Sequence, residues 1–336
     1  MLVPLRNFRF WFVLGLFGLV GCGGAGTPES PVGTGNGGAA AANSKPRIVT
    51  TVGMVTDIVR EVVGDRGEVI GLLSEGVDPH LYKPTREDVQ QLSGAKVVFY
   101  GGLMLEGRLE ESLKKLGDGK PVVGVAESLD RAILRKPPEF EGHYDPHVWM
   151  DVKLWSQCVE AVTKTMTEFD ADHAAEFVSR SEAYRQKLAK LDEYVRKSIE
   201  SIPEQQRVLV TAHDAFGYFA RAYGMEVKSV QGISTESEAG VADVNALVDF
   251  LVDRKIGAIF VESSVSDKNL KAVIEGAGKR GWTVKVGGVL FSDAMGAAGT
   301  HEGTYIGMID HNATTIARAL GGQAPEGGFR STLEKP

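Results

Sequence analysis

Ile48-Val49-Thr50-Thr51-Val52, residues 54–63 up to Gly64, Glu68-Val69-Ile70-Gly71-Leu72-Leu73, then Asp78-Pro79-His80: this run decides the fold. The first segment is β-rich, the second has helical periodicity and stops at a glycine, and the third is β-rich again. A strand, a helix and a strand in so short a span read as two parallel strands with their crossover helix. The third segment leads directly into Asp78-Pro79-His80. Proline fixes its own φ and biases the preceding residue toward extended backbone, so the imidazole is displayed at a loop tip. Loops at the carboxyl ends of parallel strands are where ligands collect.

The same rhythm continues outward. Thr85 is placed to cap a helix whose first turn carries Glu87 and Asp88, the charge sign a helix start prefers. Residues 96–100 and 121–125 are two more short β-rich runs with a helical segment between them. A second Asp-Pro-His follows in Tyr144-Asp145-Pro146-His147-Val148-Trp149-Met150-Asp151, 67 residues after the first. Two imidazoles presented by the same turn chemistry suggest two ligands for one ion.

Beyond it the chain turns helical. Phe177, Ser181, Tyr184, Leu188, Leu191, Val195, Ser198 and Ile202 recur at alternating steps of four and three, one apolar stripe on a long helix. A coiled-coil seam is the competing reading, and the two serines and the limited length argue against it. The stripe reads as a stiff strut between two lobes, ended by Pro203. A second α/β unit follows, with strands at 206–211, 226–230, 258–262 and 283–286 and helices near 243–253, 267–279 and 305–320. The expected fold class is therefore α/β, two parallel-sheet lobes joined by one long helix.

Composition narrows the function. The chain has 336 residues, 43% of them apolar, with 37 Lys plus Arg against 44 Asp plus Glu. There is no basic footprint for nucleic acid. Residues 1–9 carry Arg6 and Arg9, and residues 10–20 are an apolar run of signal-peptide length, too short to span a bilayer as a helix. Removing residues 1–21 would take the net charge from −7 to −9. Leu19-Val20-Gly21-Cys22 resembles the lipobox of bacterial lipoproteins, in which the cysteine is lipidated; an ordinary secretory signal with an incidental cysteine is the alternative. Residues 23–44 are rich in Gly, Ala, Ser, Thr and Pro with one charge, Glu29, and cannot bury enough surface to fold. As a coil they would reach roughly 25 Å. Cys158, in an apolar helical pattern, reads as a buried structural thiol.

His213 follows the strand Val208-Leu209-Val210-Thr211 by two residues, and Asp293, in Leu290-Phe291-Ser292-Asp293-Ala294-Met295-Gly296, follows the final strand likewise. A lone His there is usually a helix cap, and Asp293 alone reads equally well as an N-cap. Together with His80 and His147, however, all four occupy equivalent strand ends, so each lobe offers two candidate ligands across a cleft. Three imidazoles and a carboxylate suit Zn²⁺ or Mn²⁺, Fe²⁺ less so, and suit Ca²⁺ and Mg²⁺ poorly. Since ligating imidazoles must be neutral, binding is expected to weaken as pH falls through about 6. His143, His173 and His311 are weaker candidates, and His301 could act only behind the ligands. Gly276-Ala277-Gly278-Lys279-Arg280-Gly281 matches G-x-G-x-x-G, but it lies after a helix and before a strand, the reverse of the dinucleotide context. No phosphate-loop motif is present, so ATP-driven work belongs to another chain.

The lipobox, both Asp-Pro-His motifs, Thr211-Ala212-His213-Asp214-Ala215-Phe216-Gly217-Tyr218 and Phe291-Ser292-Asp293-Ala294-Met295-Gly296 together resemble the zinc/manganese solute-binding lipoproteins of ABC transporters. The resemblance runs from Arg47 to Leu320. It implies two α/β lobes joined by one rigid helix with the metal in the inter-lobe cleft, His80 and His147 as first-lobe ligands, and His213 and Asp293 as second-lobe ligands. Members with glutamate at the place of His213 are typically manganese proteins, whereas zinc and mixed members carry His. The His-rich loop of many zinc members is missing, since residues 126–144 hold only His143. The nearest likeness is to the treponemal-type branch, which is linked to both metals. The expected organisation is a signal peptide at 1–21, a lipidated Cys22 and tether at 22–45, lobes at 46–170 and 204–322, a connecting helix at 171–203 and a tail at 323–336. The expected function is capture of Zn²⁺ or Mn²⁺ outside the cytoplasm by a lipid-anchored monomer. It would deliver the ion to permease and ATPase subunits and would not itself be an enzyme. The rival readings are a secreted zinc hydrolase, against which stands the lack of an H-E-x-x-H motif, and a surface adhesin.

Overall fold

The computed structural model describes residues 45–117 and 119–333; the signal peptide, Cys22 and nearly all of the tether expected from the sequence lie outside them. The first lobe contains β1 (Arg47–Thr50), α1 (Gly53–Val63), β2 (Glu68–Gly71), α2 (Arg86–Gly94), β3 (Val97–Tyr100), α3 (Arg108–Leu116) and β4 (Val122–Gly124). Its strands form one parallel sheet in the order β2-β1-β3-β4. Asp78-Pro79-His80 follows the edge strand β2, and Asp145-Pro146-His147 comes well after the other edge strand, β4, beyond a run of single-turn helices, so the expected strand-end position of His147 is corrected. Ile48, Val49 and residues 97–99 have essentially no exposure because both faces of the sheet are covered, which is why these strands read as unbroken apolar runs. Thr85 caps α2 as expected, in a reciprocal box with Asp88.

Two antiparallel helices follow, α4 (Val152–Phe169) and α5 (Ala174–Glu200). Every residue of the predicted stripe on α5 is buried, as is Ile202 just beyond it. α4, α1 and the last long helix of the second lobe cover it, so the stripe is an internal face and not a dimer seam. Each large apolar side chain in it contributes roughly 1.5–3 kcal/mol by leaving water. Polar contacts tie the helix to both lobes: Tyr184 donates to Asp57 (2.8 Å), Tyr194 pairs with Thr314 (2.6 Å) and Asp192 accepts from Tyr223 (3.0 Å).

The second lobe comprises β5 (Val208–Thr211), α6 (Gly217–Tyr223), β6 (Glu226–Ser229), α7 (Val241–Asp253), β7 (Ala258–Glu262), α8 (Lys268–Lys279), β8 (Lys285–Leu290), α9 (Tyr305–Ala319) and α10 (Arg330–Leu333). Its strands pair two and two, β5 with β6 and β7 with β8, both parallel. The N–H groups just past β5 go to the Glu262 side chain instead of a neighbouring strand. The final strand begins and ends later than the expected 283–286. Gly287 and Gly288 lie inside β8, where the Phe260 ring and the Thr315 side chain press against positions with no room for a Cβ. The literal glycine motif is the end of α8, with Gly281 in the left-handed region (φ 79°). Within the expected tail at 323–336, one aromatic is docked. Phe329 is 2% exposed against Tyr194, and its N–H donates to Asp310 (2.7 Å), since one large aromatic is enough to dock the segment.

Candidate metal centre

Each Asp-Pro-His is a small machine for fixing a histidine. The His80 N–H donates to Asp78 Oδ1 (2.8 Å) and the His147 N–H to Asp145 Oδ1 (3.0 Å), the wrap an aspartate makes with the backbone two residues on. Asp145 does more. Its Oδ1 also lies 2.8 Å from His147 Nδ1, while its Oδ2 pairs with Arg135. Arg135 rests against Gly217 at the start of α6, where any Cβ would overlap its guanidinium. Tyr218 accepts from the Arg135 N–H (3.0 Å) and donates to the Asp145 carbonyl (2.9 Å). The second lobe thus buttresses a first-lobe ligand.

His213 sits two residues past β5. Glu262, the last residue of β7, accepts from the Ala212 and His213 N–H groups through Oε1 (2.7 and 2.9 Å), and its Oε2 lies 2.6 Å from His213 Nδ1. The Asp293 loop is pinned from two sides: Asn312 on α9 bonds the N–H and C=O of Phe291 (2.9 and 2.7 Å), and Trp149 donates to the Ser292 carbonyl (2.9 Å). Trp149 follows His147 by two residues, so the second motif also anchors the loop of the fourth side chain.

These supports bring all four predicted residues together. Asp293 Oδ2 is 3.1 Å from His213 Nε2 and 3.6 Å from His80 Nε2, Asp293 Oδ1 is 3.4 Å from His147 Nε2, and the Nε2 atoms of His80 and His147 are 3.4 Å apart. One ligand atom from each residue lies within 4.8 Å of all the others, and all four residues are buried. Donors about 2.1 Å from one tetrahedral ion stand roughly 3.4 Å from each other, so the set has the spacing a single ion demands. No hydroxyl or backbone N–H among the described residues donates to Asp293. A buried carboxylate without such donors needs positive charge beside it.

Without an ion that charge is protons. Burial opposes charge on His80 and takes it down to about 3. Burial opposes it on His147 as well, but the hydrogen bond to Asp145 and the nearness of Asp293 prevail and lift that ring to about 9. His213 is also opposed by burial, and Asp293 and Glu262 lift it well above its ordinary value. Burial raises Asp293, yet His213 and His147 hold its carboxyl well below the usual range. A cation must displace these protons, so the expected onset of weakening near pH 6 moves upward.

The remaining histidines lie elsewhere. His143 stacks near Phe140 (5.2 Å) on a cavity of about 330 Å³ that His80 also lines; His173 pairs with Asp170, His301 with Asp310, and His311 bonds the Val289 carbonyl. Cys158 is buried, as expected. Asp145, Glu262, Trp149 and Arg135 were not singled out from the sequence. The motif aspartate had a signal in its position two before the histidine, and Glu262 had one as an acid closing an otherwise apolar strand.

Residues 48–319 match the family profile described as zinc-uptake complex component A, periplasmic. The chain belongs to that family. It is 48% identical over 281 residues to the zinc-binding protein TroA of Treponema pallidum, covering 84% of this chain and 91% of that protein. It is 44% identical over 305 residues to the manganese-binding lipoprotein MntA of Bacillus subtilis, covering 90% and 95%. The solved structure of the periplasmic zinc-binding TroA superposes with a TM-score of 0.80 over 82% of this chain and 99% of that one. The family and the fold expected from the sequence are thereby established: parallel-sheet α/β lobes, a long helix between them, and the four-residue group in the cleft.

Proposed function

We propose that this chain is the extracytoplasmic solute-binding component of an ABC-type metal transporter, taking up Zn²⁺ or Mn²⁺ through His80, His147, His213 and Asp293. The observation that carries the reading is the mutual spacing of those four donors, which fits one ion and nothing larger. The names of its relatives, a zinc-binding and a manganese-binding protein, support both cargoes. Three imidazoles give zinc the greater intrinsic affinity, so manganese transport would depend on supply. Four protein donors occupy the positions of a tetrahedral ion, whereas catalytic zinc keeps one open for water; we therefore read the chain as a carrier and not a hydrolase. The cargo passes to permease and ATPase subunits, with the protein a monomer held to a membrane through lipid on Cys22. The lobes we assign span 46–170 and 204–322, linked by 171–203.

The test is metal analysis of protein purified without chelator, followed by Zn²⁺/Mn²⁺ competition on the chain and on Asp293→Ala. One equivalent of metal, displaced preferentially by zinc and lost in the variant, supports the reading. Undiminished stoichiometry in Asp293→Ala, or ester and peptide turnover abolished by His213→Ala, would overturn it.

A further inference from the structure

Of the three imidazoles, each is backed differently. No hydrogen bond reaches His80 Nδ1 among the described residues, and at Asp145 one oxygen serves both the N–H and Nδ1 of His147 while the other is taken by Arg135. Only Glu262 divides its oxygens between backbone and ring: Oε1 takes the Ala212 and His213 N–H groups, and Oε2, with no other partner, lies 2.6 Å from His213 Nδ1. Glu262 is 5% exposed, and no Lys or Arg pairs with it among the described residues.

We infer that Glu262 is a positioning residue that keeps a proton on His213 Nδ1 and so aims the Nε2 lone pair at the cation; the inference rests on the metal-carrier reading above. A carboxylate can only accept, and therefore Nδ1 must donate. With Nδ1 protonated, Nε2 is the nitrogen left for the ion, 3.1 Å from Asp293 Oδ2.

The division of oxygens makes Glu262→Gln a clean reversal of this logic. Two backbone donors converge on Oε1, so the introduced amide must place its carbonyl there; its NH₂ in that position would meet two N–H groups head-on. The NH₂ is then forced toward Nδ1, which must accept. The ring proton moves to Nε2, where Asp293 is close enough to take it. The metal-free fold keeps the two backbone hydrogen bonds from Ala212 and His213, while the nitrogen that should hold the ion is blocked. Partners behind a ligating histidine typically change metal affinity by about 10–100-fold, and that is the loss expected here.

The experiment uses the full chain with ¹⁵N-labelled histidine, assigning His213 by the signal lost in His213→Ala. Long-range ¹H–¹⁵N spectra report whether Nδ1 carries a proton, and zinc dissociation constants come from chelator competition. The expected results are a protonated Nδ1 in the wild type with and without zinc, an unprotonated Nδ1 in metal-free Glu262→Gln, and zinc affinity about 10–100-fold weaker in that variant. An unprotonated Nδ1 in the wild type overturns the inference, and that readout needs no variant to fold. Weaker binding with Nδ1 still protonated in the variant also overturns it, because Glu262 would then be merely structural. A wild type that binds no zinc would defeat the carrier reading, while the proton position in the metal-free protein still judges Glu262.

Discussion

Raising the pH from 6.5 to 8.5 should tighten metal binding by far more than free histidines would allow. His147 lies at about 9 and His213 well above its ordinary value, so both rings carry protons at neutral pH that the ion must displace; His80, at about 3, carries none. Metal affinity therefore rises with pH, by tenfold per unit for each proton released. That is about 1.4 kcal/mol per unit from His147 alone and about twice that if His213 follows. Across the two units the expected gain is at least roughly 100-fold. Zinc competition against a chromophoric chelator at four pH values gives the slope, and calorimetry in buffers of different ionisation enthalpy counts the protons. Ordinary imidazoles would instead give a nearly flat profile above pH 7 with a fall only below about 6.5. Such a profile would show that Asp145, Glu262 and Asp293 do not overcome burial as the geometry requires.

Other consequences concern the supports. Gly217→Ala would drive the Arg135 guanidinium off Asp145; destabilisation of about 1–3 kcal/mol and weaker zinc binding are expected, read by denaturant melts and chelator competition. Thr235 donates to Asp78 Oδ2 across the cleft (2.6 Å), and Thr235→Val keeps the shape while removing that bond. A net cost of about 1–1.5 kcal/mol would speed zinc release up to about tenfold in stopped-flow measurements, and an unchanged rate would rule out a closing role for the bond. Phe329→Ala should cost about 3–5 kcal/mol with little effect on the dissociation constant, since its pocket lies between α5 and α9 away from the four ligands.

His213 and Asp293 were legible because each closely follows a strand, and His80 and His147 because Asp-Pro-His writes its own turn into the sequence: the aspartate accepts the histidine N–H, and proline sets the bend. The expected strand-end position fails for His147, which single-turn helices separate from β4. The stripe on α5 was legible through its period, and its burial followed. Glu262 was not, because its contact with His213 spans separate strands and no local pattern encodes which strand ends meet. The continuation of the final strand through Gly287 and Gly288 was missed for a related reason. A glycine inside a strand looks like a turn until the ring pressing on it, that of Phe260, is known. Phe329 was passed over because a Gly/Pro-rich setting hides a single aromatic whose partner, Tyr194, lies far away in the chain.

The most direct test of the central claim is the zinc anomalous signal from crystals of the metal-loaded protein. One peak about 2.0–2.2 Å from the Nε2 atoms of His80, His147 and His213 and from an Asp293 oxygen is the predicted result. A peak elsewhere, or one that leaves any of these four side chains out of bonding range, would contradict it.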